Sequence, residues 1–99
     1  MKVDETLEQR GKVYGSYETN VQAVSDIMRT LQEVYREKNG VDMSLFDCTN
    51  IQYIVIKLVR LGATPNHKDS WLDIQGYAKL SEDMFNHEVV VVEDEDGGY

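Results

Sequence analysis

The chain has little of what staples, kinks or anchors a protein. Its single cysteine, Cys48, excludes an internal disulfide. With no second cysteine beside it, Cys48 nucleates no zinc site, and such sparing usage fits a reducing cytoplasm. Free cysteine behaves as a small apolar packing group, and that is the role expected of it. One proline, Pro65, supplies the only enforced break. No stretch approaches the roughly 20 apolar residues of a membrane span, and the opening MKVDETLEQR has no apolar signal-peptide core. Bases are scarce and scattered, so no basic stripe for direct nucleic-acid binding forms. There is no GxxxxGK[ST] loop, no Gly-x-Ser-x-Gly elbow and no cysteine-histidine pair at metal spacing. P-loop hydrolysis, serine esterase chemistry and zinc chemistry are therefore unsupported.

What is present is acid. The net charge is −8, but Glu88, Glu93, Asp94, Glu95 and Asp96 cluster at the end, leaving 13 acidic against 10 basic side chains in residues 1–87. The body is thus only mildly acidic. A mimic of duplex DNA would spread its carboxylates over the folded surface, so mimicry is disfavoured. With 41% apolar and 28% charged residues, the 99-residue chain reads as one small globular domain. A domain of this size buries only about 60 to 65% of its unfolded surface, which makes a homo-oligomer a natural way to gain core.

The periodicity is helical nearly throughout, and the fold expected is all-α: a four-helix small domain with an acidic C-terminal tail or short strand. The division is 1–87 for the helical domain and 88–99 for the tail. A first helix is expected from Asp4 to Tyr14, capped by Asp4, with Gly11 weakening it. From Asn20 to Lys38, Val21, Val24, Ile27, Met28, Leu31, Val34 and Tyr35 recur at threes and fours, and Asn39 and Gly40 supply a left-handed stop. A connector spans residues 41–50 and offers Ser44, Asp47, Thr49 and Asn50 as caps of the next helix, of which Asp47 or Thr49 best precedes the apolar run. That segment, IQYIVIKLVRLG, is apolar around most of its circumference and should be central; its β-branched residues also suit a strand, but its length and closing Gly62 favour a helix. Pro65 breaks it, and Asn66 or His67 caps a last helix that runs to about Phe85. Residues 87–99, HEVVVVEDEDGGY, make either a short strand or an acidic tail.

The richest stretch is NHKDSWLDIQGYAKL, Asn66 to Leu80. Asp69, Asp73 and Tyr77 fall at i, i+4 and i+8 on one helix face, with Gly76 beside them permitting close approach of another backbone. Lys57 and Arg60, three apart on the central helix, need partners if buried, and a short GATPN connection delivers Asp69 and Asp73 antiparallel to them. The four can form an ion-pair network that sets helix register. Alternatively, the two aspartates hold a divalent cation while the lysine and arginine meet a phosphate. Magnesium suits the second arrangement, because it needs only one or two carboxylates and completes its shell with water and substrate phosphates. His67 reads as a capping residue or a ligand, Trp71 as core packing or a stacking platform, and Tyr77 carries the same ambiguity. Near the start, RGKVYGSYETN supplies Arg10, Tyr14 and Asn20, with Gly15 as an interhelix turn and Asn20 as a cap or amide ligand.

The segments RGKVYG, KLVR and DSWLDIQGY resemble the RGxxYG, KxxR and DSWxDxxGY motifs of a family of small uncharacterised phage and prophage proteins, over residues 8 to 84. More distantly the chain is similar to phage nucleotide-modification-associated domains and to MazG-like all-α pyrophosphatases. These resemblances imply a phage context, the host bacterial cytoplasm and nucleotide handling. MazG-like enzymes hold magnesium with acidic pairs on facing helices, and here the facing helix offers Lys57 and Arg60 instead. Binding without turnover is thus favoured over pyrophosphatase activity. The expectation is a phage accessory protein that binds a small phosphorylated ligand, a nucleotide, through Arg10, Tyr14, Asn20, Lys57, Arg60, His67, Asp69, Asp73 and Tyr77, with Mg²⁺ at Asp69 and Asp73. The alternatives are a protein that binds and inhibits a host factor, its valine run adding a strand to a partner's sheet edge, and a Mg-dependent nucleotide pyrophosphatase.

Overall fold

A computed structural model describes residues 2–88, and the side chains of residues 2–86. It is all-helical: α1 is Val3–Tyr14, α2 Tyr17–Asn39, α3 Leu45–Ala63 and α4 Lys68–Glu88. The expected strand or tail after Glu88 lies outside the described residues. No helix among the described residues is long and apolar enough to cross a membrane.

Local chemistry sets each boundary. α1 begins at Val3, one residue before the expected cap, and Lys2 in the capping position makes no side-chain cap hydrogen bond. Gly15 ends it at φ 84°, a left-handed value that costs glycine little. The Ser16 hydroxyl then accepts from the Thr19 N–H at 3.0 Å and starts α2 three residues ahead of the expected Asn20. Asn20 is neither cap nor free amide: its Nδ2 donates to the Tyr14 and Ser16 carbonyls, each at 2.7 Å, and so holds the turn. Gly40, at φ 76°, donates to the Arg36 carbonyl and stops α2 in a left-handed cap. On the exposed surface of α2, hydrogen bonds from Gln22 and Arg29 hold the Asp26 carboxyl below its usual range.

The start of α3 falls at another of the candidate caps than the preferred two. Ser44, not Asp47 or Thr49, is the cap, and its hydroxyl accepts from the Asp47 N–H at 3.0 Å. Leu45 and Phe46 are thereby drawn into the helix, although both stay exposed. The short link to α4 is tied by Trp71, whose Nε1 donates to the Pro65 carbonyl at 2.9 Å. Trp71 is 48% exposed, so it clasps a turn rather than filling the core expected of it.

α3 is the hub. It packs against α1, α2 and α4, whereas α4 touches neither α1 nor α2. The α3–α4 pair is antiparallel, with Asn50 accepting from the Ser81 hydroxyl at one end and Lys57 meeting Asp73 nearer the other. Gln32 joins α2 to the start of α3: its Oε1 accepts the Met43 N–H at 2.5 Å and its Nε2 donates to Cys48 Sγ at 3.3 Å. The packing role expected of Cys48 agrees with its half-buried position. The core itself is thin. Among the described residues Met43, Val55 and Leu61 are the buried apolar side chains, Val55 at 2% exposure being the deepest, and neither α1 nor α2 contributes one.

Replacing Gln32 by Leu should leave the Met43 N–H without its acceptor in a part-buried place. A stability loss of about 1–3 kcal/mol is expected in urea denaturation; an unchanged midpoint would show that Gln32 does not join the two elements.

Candidate functional site

The residues singled out from sequence divide into two groups on different sides of α3. The first lines a cleft of about 1140 Å³ between α1, α2 and α3. Arg10 and Tyr14 come from α1, Asn20 from α2 and Arg60 from α3, with walls that include Val24, Met28, Ile56 and Val59. The Arg60 guanidinium lies over the Tyr14 ring at 4.4 Å from its centroid. At that distance the cation is attracted to the ring's negative face while its N–H edges stay available to an acceptor.

The second group belongs to the α3–α4 contact. Lys57 Nζ stands 2.9 Å from Asp73 Oδ2, with the lysine side chain 15% exposed and the aspartate 47%. The Tyr53 and Tyr77 rings meet at 5.4 Å with a 34° tilt. Asp69, in the first turn of α4, is exposed, and a carboxylate there complements the positive end of the helix dipole. Lys57 and Arg60 therefore do not share the two aspartates. Residues three apart on a helix are about 60° apart around its axis, enough to send two long side chains into different grooves. One half of the ion-pair arrangement is present, as Lys57 with Asp73, and Arg60 turns to Tyr14.

His67 sits between the groups, immediately before α4. Its Nδ1 is 2.8 Å from the Ser70 hydroxyl, and its ring meets the Tyr14 ring edge-on at 5.4 Å. Ser70 is 1% exposed, so its hydroxyl needs this partner. Sequence reasoning missed Ser70; the signal was its position three residues after a histidine at a helix start, the spacing at which a leading residue reaches back into the first turn. It also missed Tyr17, which lines the cleft and is largely exposed. Gly76 proves different from expectation: no backbone comes within 4 Å of where its Cβ would stand. Among the described residues no three His, Cys, Asp or Glu side chains gather as a metal-holding group. Asp69 and Asp73 alone face that role, and Asp73 already holds an ammonium.

The electrostatics of the cleft are distinctive. Its lining contains no Asp or Glu, and its charged members are Arg10 and Arg60. Among the described residues neither arginine forms an ion pair. In a chain with 18 acids this is a cationic, acid-free hollow with apolar walls. Such a hollow favours an anion that also carries a flat or apolar part.

Two measurements check this assignment of roles. Asp73→Ala should destabilise by about 1–2 kcal/mol, because it strands a mostly buried ammonium, and Lys57→Met should cost less because it removes the charge as well; chemical denaturation of both variants reads the order, and the reverse order would refute a desolvated Lys57. Gly76→Ala should raise stability by about 0.5–1 kcal/mol, since the helix interior there is open and alanine is the better helix former; a loss would mean that something does approach this glycine.

No curated protein and no solved structure matches the chain. A family model does, over residues 2–85, from the residue before α1 to within three residues of the end of α4. The chain thus belongs to the DUF6378 family, a domain of unknown function.

Proposed function

We propose that the cleft between α1, α2 and α3 binds a small phosphorylated ligand, a nucleotide, in a protein of phage or prophage origin acting in the host cytoplasm. The observation that carries this reading is the pairing of two arginines without carboxylate partners and the absence of any acid from the cleft of a strongly acidic chain. Arg10 and Arg60 supply N–H donors in the fork geometry that suits phosphate oxygens. The Tyr14 ring beneath Arg60 restricts that guanidinium, so less side-chain freedom is lost when it engages an anion. Tyr17, at the edge of the cleft, offers a ring on which a base can stack, and Val24, Met28, Ile56 and Val59 give the apolar wall. The phage context rests on the RGKVYG, KLVR and DSWLDIQGY segments.

The role of each expected residue follows from its place. Arg10 and Arg60 contact the ligand, and Asn20 holds the Gly15 turn at the cleft's edge. Lys57, Asp73 and Tyr77 keep α4 in register on α3. Magnesium enters this scheme on the ligand's phosphates; a magnesium ion at Asp69 and Asp73 would first have to displace the Lys57 ammonium. The reading is of binding, with no group assigned to turnover.

Titration calorimetry with nucleoside mono-, di- and triphosphates, with and without magnesium, tests it. Saturable binding is expected, weakened about 10- to 100-fold by Arg60→Gln, the loss appropriate to one charge-assisted contact. Asp69→Asn should leave the affinity unchanged. No heat across the panel at millimolar nucleotide would overturn the proposal, and a loss confined to Asp69→Asn would move the ligand to the α3–α4 side.

A further inference from the structure

We infer that residues 89–96 of this chain, VVVVEDED, seat along the open side of α3 and deliver their acids to Arg10 and Arg60, so that the protein's own tail competes for the cleft. The track for them is continuous. α4 touches neither α1 nor α2, which leaves a seam along α3 between α4 and the cleft. Leu45, Thr49, Tyr53, Ile56 and Arg60 recur along α3 at fours and threes, so they share one face of the helix. The first half of that face belongs to a shallow depression made by Leu45, Phe46, Thr49, Asn50 and Tyr53, in which Leu45, Phe46 and Tyr53 are exposed. The second half enters the cleft, where Ile56 and Arg60 are half-buried in the lining.

Where α4 ends decides what can use this track. Ser81 opposite Asn50 and Asp73 opposite Lys57 fix an antiparallel register. Glu88 lies seven residues beyond Ser81, as Met43 lies seven before Asn50, so the end of α4 stands level with about Met43, beside the depression. From that level to Arg60 is about 25 Å along α3, at about 1.5 Å per residue. Residues 89–96 span at most about 26 Å, at about 3.3 Å each. The Arg60 side chain also leans back toward the start of α3, as helical side chains do, and so shortens the gap. The valines at 89–92 therefore fall over the depression and the acids at 93–96 toward the cleft.

Charge and hydropathy select this occupant. Four consecutive valines are followed by four consecutive acids, Glu93 to Asp96. That order matches an apolar depression followed by a hollow whose charged lining residues are both arginines. Arg29, Arg36, Lys57 and Lys79 already hold carboxylates, whereas Arg10 and Arg60 form no ion pair among the described residues. The flank of α4, with Asp69, Asp73 and Glu82 exposed, repels an acidic segment. A guanidinium meets a carboxylate through two parallel N–H donors, and tethering raises the tail's effective concentration at the cleft to about the millimolar range, so weak contacts suffice. The inference rests on the reading that these arginines accept an anion, and not on that anion's being a nucleotide.

Paramagnetic relaxation enhancement on the full chain, without nucleotide, provides the test. A spin label is carried by Gly97→Cys in a Cys48→Ser or Cys48→Ala background, chosen by circular dichroism for unchanged helix content. The expected result is loss of the amide signals of Arg10, Val24, Ile56 and Arg60. Those signals should return when Glu93→Gln, Asp94→Asn, Glu95→Gln and Asp96→Asn together neutralise the tail, a change that touches no residue of the four helices. Signal loss confined to the end of α4, or loss of the same size with the neutralised tail, would overturn the inference. So would loss between molecules when a spin-labelled copy is mixed with an isotope-enriched copy that carries no label, since that places a second molecule's tail in the cleft. Tail contact combined with a negative calorimetric titration leaves this inference standing and removes the nucleotide. Nucleotide binding with the cleft signals intact removes the tail contact alone.

Discussion

Everything in this molecule leans on one helix that is apolar nearly all the way round and has too few neighbours to cover it. α3 touches each of the other helices, while α4 meets neither α1 nor α2. Burial is a matter of shared surface, so a rod with partners on two flanks and a short helix near one end sinks a narrow strip: Val55 and Leu61 are buried, and Leu58 on the same helix is not. A fully buried aliphatic side chain is worth about 1.5–3 kcal/mol, and three of them leave little margin against the entropy of ordering four helices. The thin core makes the polar ties between elements matter more. Gln32 joins α2 to the start of α3, Asn20 closes the first turn, Trp71 clasps the last link, and Lys57–Asp73 fixes α4 on the hub.

The charges sort by the same geometry. Where α3 meets α4, the interface is close enough to leave Lys57 mostly out of water, and a desolvated ammonium needs the carboxylate that Asp73 provides. On the other flank α1 contributes an aromatic ring instead of an acid, and Arg60 settles over Tyr14. A guanidinium tolerates that environment better than an ammonium would, because it is planar and weakly hydrated. Lys57 and Arg60, interchangeable as basic residues in a sequence pattern, thus do different work: one closes an interface, the other furnishes a cleft.

The parts of this arrangement that were legible in the sequence are those decided by one segment at a time. The threes and fours of Val21 to Tyr35 announce α2, Gly40 its end, Pro65 the break before α4, and the apolar circumference of IQYIVIKLVRLG the central position of α3. The misread features depend on competition or on distance. Ser44 outranks Asp47 and Thr49 as a cap because the helix can begin ahead of the apolar run, and only the accepted Asp47 N–H reveals it. Trp71 looks like core by composition, but the compact GATPN turn puts a carbonyl within reach of its indole and holds it near the surface. The stripe of Asp69, Asp73 and Tyr77 is correctly one helix face, yet the ring beneath Arg60 comes from a residue 46 positions earlier, a pairing no local periodicity encodes. The acid-free character of the cleft is likewise a property of three helices together and of none alone.

The shortage of cover over α3 and the hollow beside it are two descriptions of one surface, and this ties stability to function. A helix that completed the bundle would bury Ile56 and Val59 and fill the space between Arg10 and Arg60. The chain instead leaves that side open, at a cost in exposed apolar area, and among the described residues Arg10 and Arg60 face the hollow without carboxylates to hold them. The open side of α3 is thus at once where the core is thinnest and where two unpaired cations are displayed, so a substitution that closed it with apolar bulk would add to stability while removing the hollow.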